Sequence, residues 1–87
     1  MYLIETTPAA NRALTRMPRK IVDPIAMFIA PDGPLAENPR RVGKPLDGKY
    51  AEMHSARVGA YRVLYVVDDT VLVVLVTKIG HRAEVYG

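Results

Sequence analysis

The pair Gly59-Ala60, inside "ARVGAYRVLY" (residues 56–65), constrains this chain more than any other feature of it. A Gly-X pair between alternating segments closes a two-residue hairpin in a type II′ turn, whose twist matches that of the strands it joins. A turn of that length leaves one register. Val58 then faces Tyr61, and the next pair outward is Arg57 against Arg62. Like charges directly opposed on one face weaken a hairpin, so the most strongly specified element of the chain contains a local conflict. Strand parity puts Ala56, Val58, Tyr61, Val63 and Tyr65 on one face, apolar enough to be covered. The other face holds Met53, Ser55, Arg57, Arg62, Leu64 and Val66: cationic near the turn, apolar further along, and suited to binding.

The rest of the chain supplies a cover for one of those faces. "YLIETT" (2–7) alternates as a strand does, and Thr7-Pro8 is a helix start, a cap followed by a proline at the first helical position. Ala10, Leu14 and Met17, then Ile21, Val22, Ile25, Phe28 and Ile29 beyond Pro18, recur at helical spacing, which predicts a helical hairpin over roughly 8–30. Pro24 lies inside the second stripe; either it kinks that helix or Asp23 caps a fresh start there. "PDGP" (31–34) ends the helical region, and 36–50 reads as an irregular connection carrying Arg40, Arg41, Lys44 and Lys49. Strands are predicted over roughly 50–58 and 61–67. After "DDT" comes "VLVVLVTK" (71–78), apolar on both sides as in a central, fully covered strand. The order βααβββ predicts an α+β fold, a small mainly antiparallel sheet with a helical hairpin packed on one face, as a single domain over 1–87.

With 87 residues there is room for one core, and 49% hydrophobic with 24% charged residues is the balance of a folded chain. No apolar run reaches the roughly 18 residues of a membrane span, and "MYLIETTPAA" lacks the basic start of a signal peptide. The absence of cysteine excludes disulfides and thiolate sites and suits a reducing cytoplasm. With only His54 and His81, and carboxylates that do not cluster, no structural metal site is expected. The net charge of +3 favours an anionic partner such as nucleic acid or an acidic protein segment.

"NPRRVGKPLDG", "HSARVGAYRVLYVVDD" and the terminal "GHRAEVY", in that order and spacing and together with "LTRMPRKI", resemble the RelE branch of the RelE/ParE toxin superfamily over nearly the whole chain. The resemblance implies the toxin of a type II toxin–antitoxin pair: a metal-independent, cofactor-free endoribonuclease that cuts mRNA in the ribosomal A site and arrests translation. Its implied partners are a RelB-like antitoxin, the ribosome and mRNA, with operator DNA met only through the antitoxin and no membrane. The family's strand arginine falls on Arg62, the arginine of its "HR" motif on Arg82 and its terminal tyrosine on Tyr86, while Arg57 matches the arginine before the turn. The pattern departs at Met53 and Ser55, where well-studied members carry lysine.

The chemistry fits those residue types. Attack by a 2′-hydroxyl on the adjacent phosphorus, leaving a 2′,3′-cyclic phosphate, builds negative charge that preorganised cations stabilise. Arginine suits this because its planar fork bonds phosphate oxygens in pairs and stays charged. Arg62 and Arg82 are the expected clamp and Arg57 a backbone contact; otherwise Arg57 and Arg62 form a solvated hairpin end. Tyr86 is expected to stack on a base or trade a proton with the sugar, although a phenol of ordinary pKa about 10 is a poor base unless cations lower it. His81 has the side chain of a general acid for the leaving oxygen, whereas His54, opposite Arg57 by parity, reads as a packed structural histidine. Lys44, Arg41 and Arg40 are expected to hold RNA backbone in a salt-dependent, sequence-blind way. Two other readings stand beside this one: a ParE-like gyrase inhibitor, and a non-catalytic relative that binds only its antitoxin.

Overall fold

The hairpin closes as its turn residues require. In the computed structural model, which describes residues 1–86, Gly59 takes φ +62° and Ala60 does not enter the left-handed region, as a type II′ turn demands. Val58 pairs with Tyr61 and Arg57 with Arg62.

Around it lies a five-stranded sheet in the order β1-β5-β4-β3-β2. The strands are β1 Leu3–Thr6, β2 Lys44–Pro45, β3 His54–Val58, β4 Tyr61–Asp68 and β5 Val73–His81. Only β1, beside β5, runs parallel to its neighbour. The helical hairpin is α1 Pro8–Arg16 and α2 Arg19–Phe28, followed by the short α3 Pro34–Glu37. Thr7 Oγ1 accepts the Ala10 N–H at 3.2 Å and also donates to the Thr77 carbonyl at 2.7 Å, tying the helix start to β5. Helix α2 begins just after Pro18 and runs through Pro24, so no fresh start occurs at Asp23. The proline removes one main-chain donor from the helix.

The core lies between the helices and one sheet face. Ala10, Ile25 and Leu35 meet Ala56, Val63, Tyr65, Val74, Val76 and Ile79, all buried. Burial of each larger side chain stabilises by roughly 1.5–3 kcal/mol. The spacing of Val74, Val76 and Ile79 departs from strict alternation because the β4–β5 register slips between Leu64 and Tyr65, and a bulge changes which face later residues occupy.

Three expectations about the strands need correction. The chain before β3 is not extended from residue 50: Gly48, at φ +64°, turns it into a 3₁₀ segment at Gly48–Tyr50, and the irregular connection includes the small edge strand β2. β5 begins at Val73, because Leu72 sits in the turn at φ +57°, and it continues to His81. Nor is it covered on both sides, since Val73 and Leu75 remain half-exposed where no helical layer reaches. Among the described residues no helix is long and apolar enough to cross a membrane.

Tyr65 ties the connection to the core. Its hydroxyl donates to the Pro39 carbonyl at 2.5 Å, both groups being buried, and burial pushes its pKa up to about 12. His54 stacks on the Tyr65 ring, with centroids 5.5 Å apart, and its Nδ1 is buried without a partner among the described residues. Burial, aided by the positive charge of Arg40, pulls the His54 pKa below its ordinary 6.5. A histidine lowered in the native state takes up its proton first in the unfolded chain. Stability is therefore full above about pH 6.5 and falls as the pH drops towards the native value. The urea midpoint should be lower at pH 5 than at pH 7.5, and His54→Phe should shrink that difference; an unchanged difference would rule out His54 as its source.

Candidate nucleic-acid interface

The Gly59-Ala60 turn sets the site. In a two-residue hairpin the residues flanking the turn form the hydrogen-bonded pair, so Arg57 and Arg62 form the next, non-hydrogen-bonded one, whose Cα atoms approach to about 4.5 Å. Arg62 is half-buried on the central strand and Arg57 exposed on its neighbour. Arg82 follows the end of β5, and its N–H donates to the Ala60 carbonyl at 3.1 Å, which fastens it beside the turn. Arg57, Arg62, His81 and Arg82 line one cleft of about 360 Å³. Among the described residues the ion pairs are Arg19–Asp23 and Arg40–Asp69, so no carboxylate within 4.0 Å neutralises these three guanidiniums. Two charges about 6 Å apart at a protein surface repel by about 1–3 kcal/mol, and an anion between them removes that cost.

A second cleft, of about 520 Å³, shares Arg57 and Arg62 with the first. Arg41 and Lys44 add cations to its wall, Pro45 and Leu46 an apolar rim, and Ser55 and Tyr86 a polar side. The loop reaches this position because Lys44 pairs with Ser55 and Pro45 with His54. Gly43 makes the approach possible: a Cβ there would lie 2.2 Å from the Tyr65 hydroxyl and 2.9 Å from the Ser55 carbonyl.

Tyr86 arrives from the tail. After β5 the chain makes one helical turn, with the Glu84 and Val85 N–H groups both donating to the His81 carbonyl at 2.8 and 3.0 Å. Val85 is buried against Gly80, and Tyr86 reaches across to β3, where its hydroxyl donates to Ser55 Oγ at 3.1 Å. Leu64 and Ser55, expected on an uncovered face, are buried. The tail crosses the sheet at this level and separates the open end of that face nearest the turn from the half-exposed Val66, Val73 and Leu75 at its other end.

The other predicted residues separate. Arg40 does not join the cluster. It pairs with Asp69 at 2.7 Å at the other end of β4, and Asp69 also accepts the Tyr2 hydroxyl. Hydrogen bonds from Arg40 and then Tyr2 hold the Asp69 carboxyl below its usual range, and the same bond to Asp69 raises Arg40. This half-exposed ion pair sets Arg40 apart from the cleft that Arg41 and Lys44 line. His81 stays at the first cleft, but its ring stands edge-on to Tyr61 at 5.6 Å and its Nδ1 accepts the Ala83 N–H at 3.3 Å. Met53 packs near Thr77 instead, its sulfur 3.8 Å from Thr77 Oγ1. Sequence reasoning missed Tyr50, which meets Tyr86 edge-to-face at 5.6 Å and donates to its carbonyl at 3.0 Å. Nothing in the sequence marked it, since Tyr50 and Tyr86 stand 36 positions apart.

A small α+β domain of this topology, with arginines gathered at one hairpin end beside a tyrosine from the segment after β5, has the fold of a RelE-like toxin. The family described as ParE toxin of type II toxin-antitoxin system, parDE, matches residues 4–86, and the chain belongs to it. It is a RelE-like member of the RelE/ParE superfamily of type II toxins. Toxin RelG of Mycobacterium tuberculosis is 39% identical over 85 residues, covering 98% of this chain and 95% of that one. Toxin RelE of the same organism is 41% identical over 85 residues, covering 98% and 86%. The toxin–antitoxin complex RelBE2 from Mycobacterium tuberculosis contains a chain that superposes with a TM-score of 0.86 at 38% identity, covering 93% of this chain and 98% of that one.

Proposed function

We propose that this toxin is a ribosome-dependent endoribonuclease that cleaves mRNA in the A site, and that a RelB-like antitoxin restrains it. The observation that carries the reading is the convergence of Arg57, Arg62 and Arg82 on one hairpin end with no carboxylate at hand among the described residues. The names of the RelE and RelG relatives and the RelBE2 complex support it. The substrate's 2′-oxygen forms a bond to phosphorus while the bond to the 5′-oxygen breaks. A proton leaves the 2′-hydroxyl, another arrives on the 5′-oxygen, and the products are a 2′,3′-cyclic phosphate and a 5′-hydroxyl. Arg62 and Arg82 hold the phosphorane oxygens. Arg57, Arg41 and Lys44 track the backbone, and Tyr86 faces the sugar. The reaction asks for neither metal nor cofactor, and its setting is the cytoplasm, where ribosomes are.

Because the matching family is named for ParE, gyrase inhibition is the second reading. Primer extension on an mRNA translated in vitro separates the two. Cuts spaced by codon, present only with the protein, are expected. Intact mRNA together with stabilised gyrase–DNA breaks would replace the nuclease with the ParE activity. Intact mRNA and unaffected gyrase would leave antitoxin binding as the remaining role.

A further inference from the structure

We propose that Ser55 and Tyr50 are positioning residues that hold Tyr86 across the arginine cleft, a role that rests on the nuclease reading. Tyr86 lies beyond the last strand and has no strand pairing among the described residues, so its place depends on what grips it. Three contacts do so: its hydroxyl on Ser55 Oγ at 3.1 Å, its carbonyl on the Tyr50 hydroxyl at 3.0 Å, and its ring edge-to-face on Tyr50 at 5.6 Å. The two anchors come from different elements, Ser55 from β3 and Tyr50 from the 3₁₀ segment before it. Together they fix both the direction of the ring and the position of its backbone.

The chemistry favours a role beyond packing. Ser55 is only 6% exposed, and its hydroxyl answers the tyrosine's, as buried hydroxyls require. With the phenol proton directed to Ser55, the lone pairs of the Tyr86 oxygen are left for a group in the cleft, and a sugar hydroxyl beside an arginine-held phosphate is such a group. A hydroxyl cannot supply charge, but it can set the tyrosine's hydrogen-bond direction. Positioning of this kind changes the rate of the bound step more than the strength of binding.

The test is a double-mutant cycle in single-turnover cleavage of ribosome-bound mRNA. Ser55→Ala should lower kcat about tenfold with KM within twofold, and Ser55→Thr should restore most of the loss. In a Tyr86→Phe background, where the phenol proton is gone, Ser55→Ala should cost less than twofold. Equal losses in both backgrounds, or a loss confined to KM, would overturn the proposal. Tyr50→Phe supplies an arm independent of serine and of cleavage. It should speed amide exchange at Val85 at least fivefold while exchange in β4 stays unchanged, and unaltered exchange at Val85 counts against the anchor. If the wild-type chain itself leaves mRNA intact, the nuclease reading falls and the catalytic role of Tyr86 with it, a result distinct from either failure above.

Discussion

Replacing both Arg62 and Arg82 with alanine will lower mRNA cleavage at least 10³-fold and abolish growth arrest, while the variant still folds and still binds its antitoxin. Removing one donor from a site that stabilises developing anionic charge typically costs about 10²–10³ in rate. Paired groups acting on one phosphate do not add independently, so the double variant is the clearer test. Folding should survive because, among the described residues, neither guanidinium has a carboxylate partner within 4.0 Å to orphan. What anchors Arg82 is its backbone N–H, which alanine retains. Loss of a charge from the crowded hairpin end should, if anything, raise the thermal midpoint. Growth arrest by the folded double variant equal to that of the wild type would remove the arginine clamp from the mechanism.

Gly43→Ala will be the most damaging single methyl that can be added to this molecule near the site. The new Cβ would lie 2.2 Å from the Tyr65 hydroxyl and 2.9 Å from the Ser55 carbonyl. Neither neighbour gives way freely, because the hydroxyl is committed to the Pro39 carbonyl and the other atom is backbone of β3. Overpacking and the loss of a buried hydrogen bond each cost about 1–3 kcal/mol, so a destabilisation of about 2–4 kcal/mol is expected. In a domain of this size each kcal/mol lowers Tm by about 4–8 °C. The same displacement moves Arg41 and Lys44 away from the cleft, so activity should fall even at temperatures where the variant is folded. Calorimetry beside the cleavage assay checks both parts. A Tm within 2 °C of wild type would show that the loop does not depend on this close approach.

The two substitutions probe different kinds of information in the chain. The hairpin was legible because its determinants are neighbours: a two-residue turn leaves one register, and that register opposes Arg57 and Arg62 wherever the rest of the molecule lies. The helix start at Thr7-Pro8 and the apolar stripes of the helical hairpin were legible for the same reason, since capping and periodicity act within a turn or two. The fate of the 36–50 connection was not. Its short strand exists because β3 offers an unpaired edge and because Gly43 lets the backbone pass the Tyr65 hydroxyl, and both conditions are set many residues away.

Charge shows the division most plainly. By sequence, Arg40 and Arg41 are adjacent loop cations with equal claims on a phosphate. In the fold one is engaged by Asp69, 29 positions further along, and the other lines the cleft. Pattern reading likewise placed Leu64 and Ser55 on an open face, since alternation records which side a residue occupies and nothing of what later crosses that side. Local sequence determined the hairpin, the pair of opposed arginines and the helical cover, because short-range sterics and periodicity act before any distant contact forms. Only the tertiary structure decided which cations stay unpaired and where Tyr86 rests, because both depend on surfaces that meet after the chain has closed on itself.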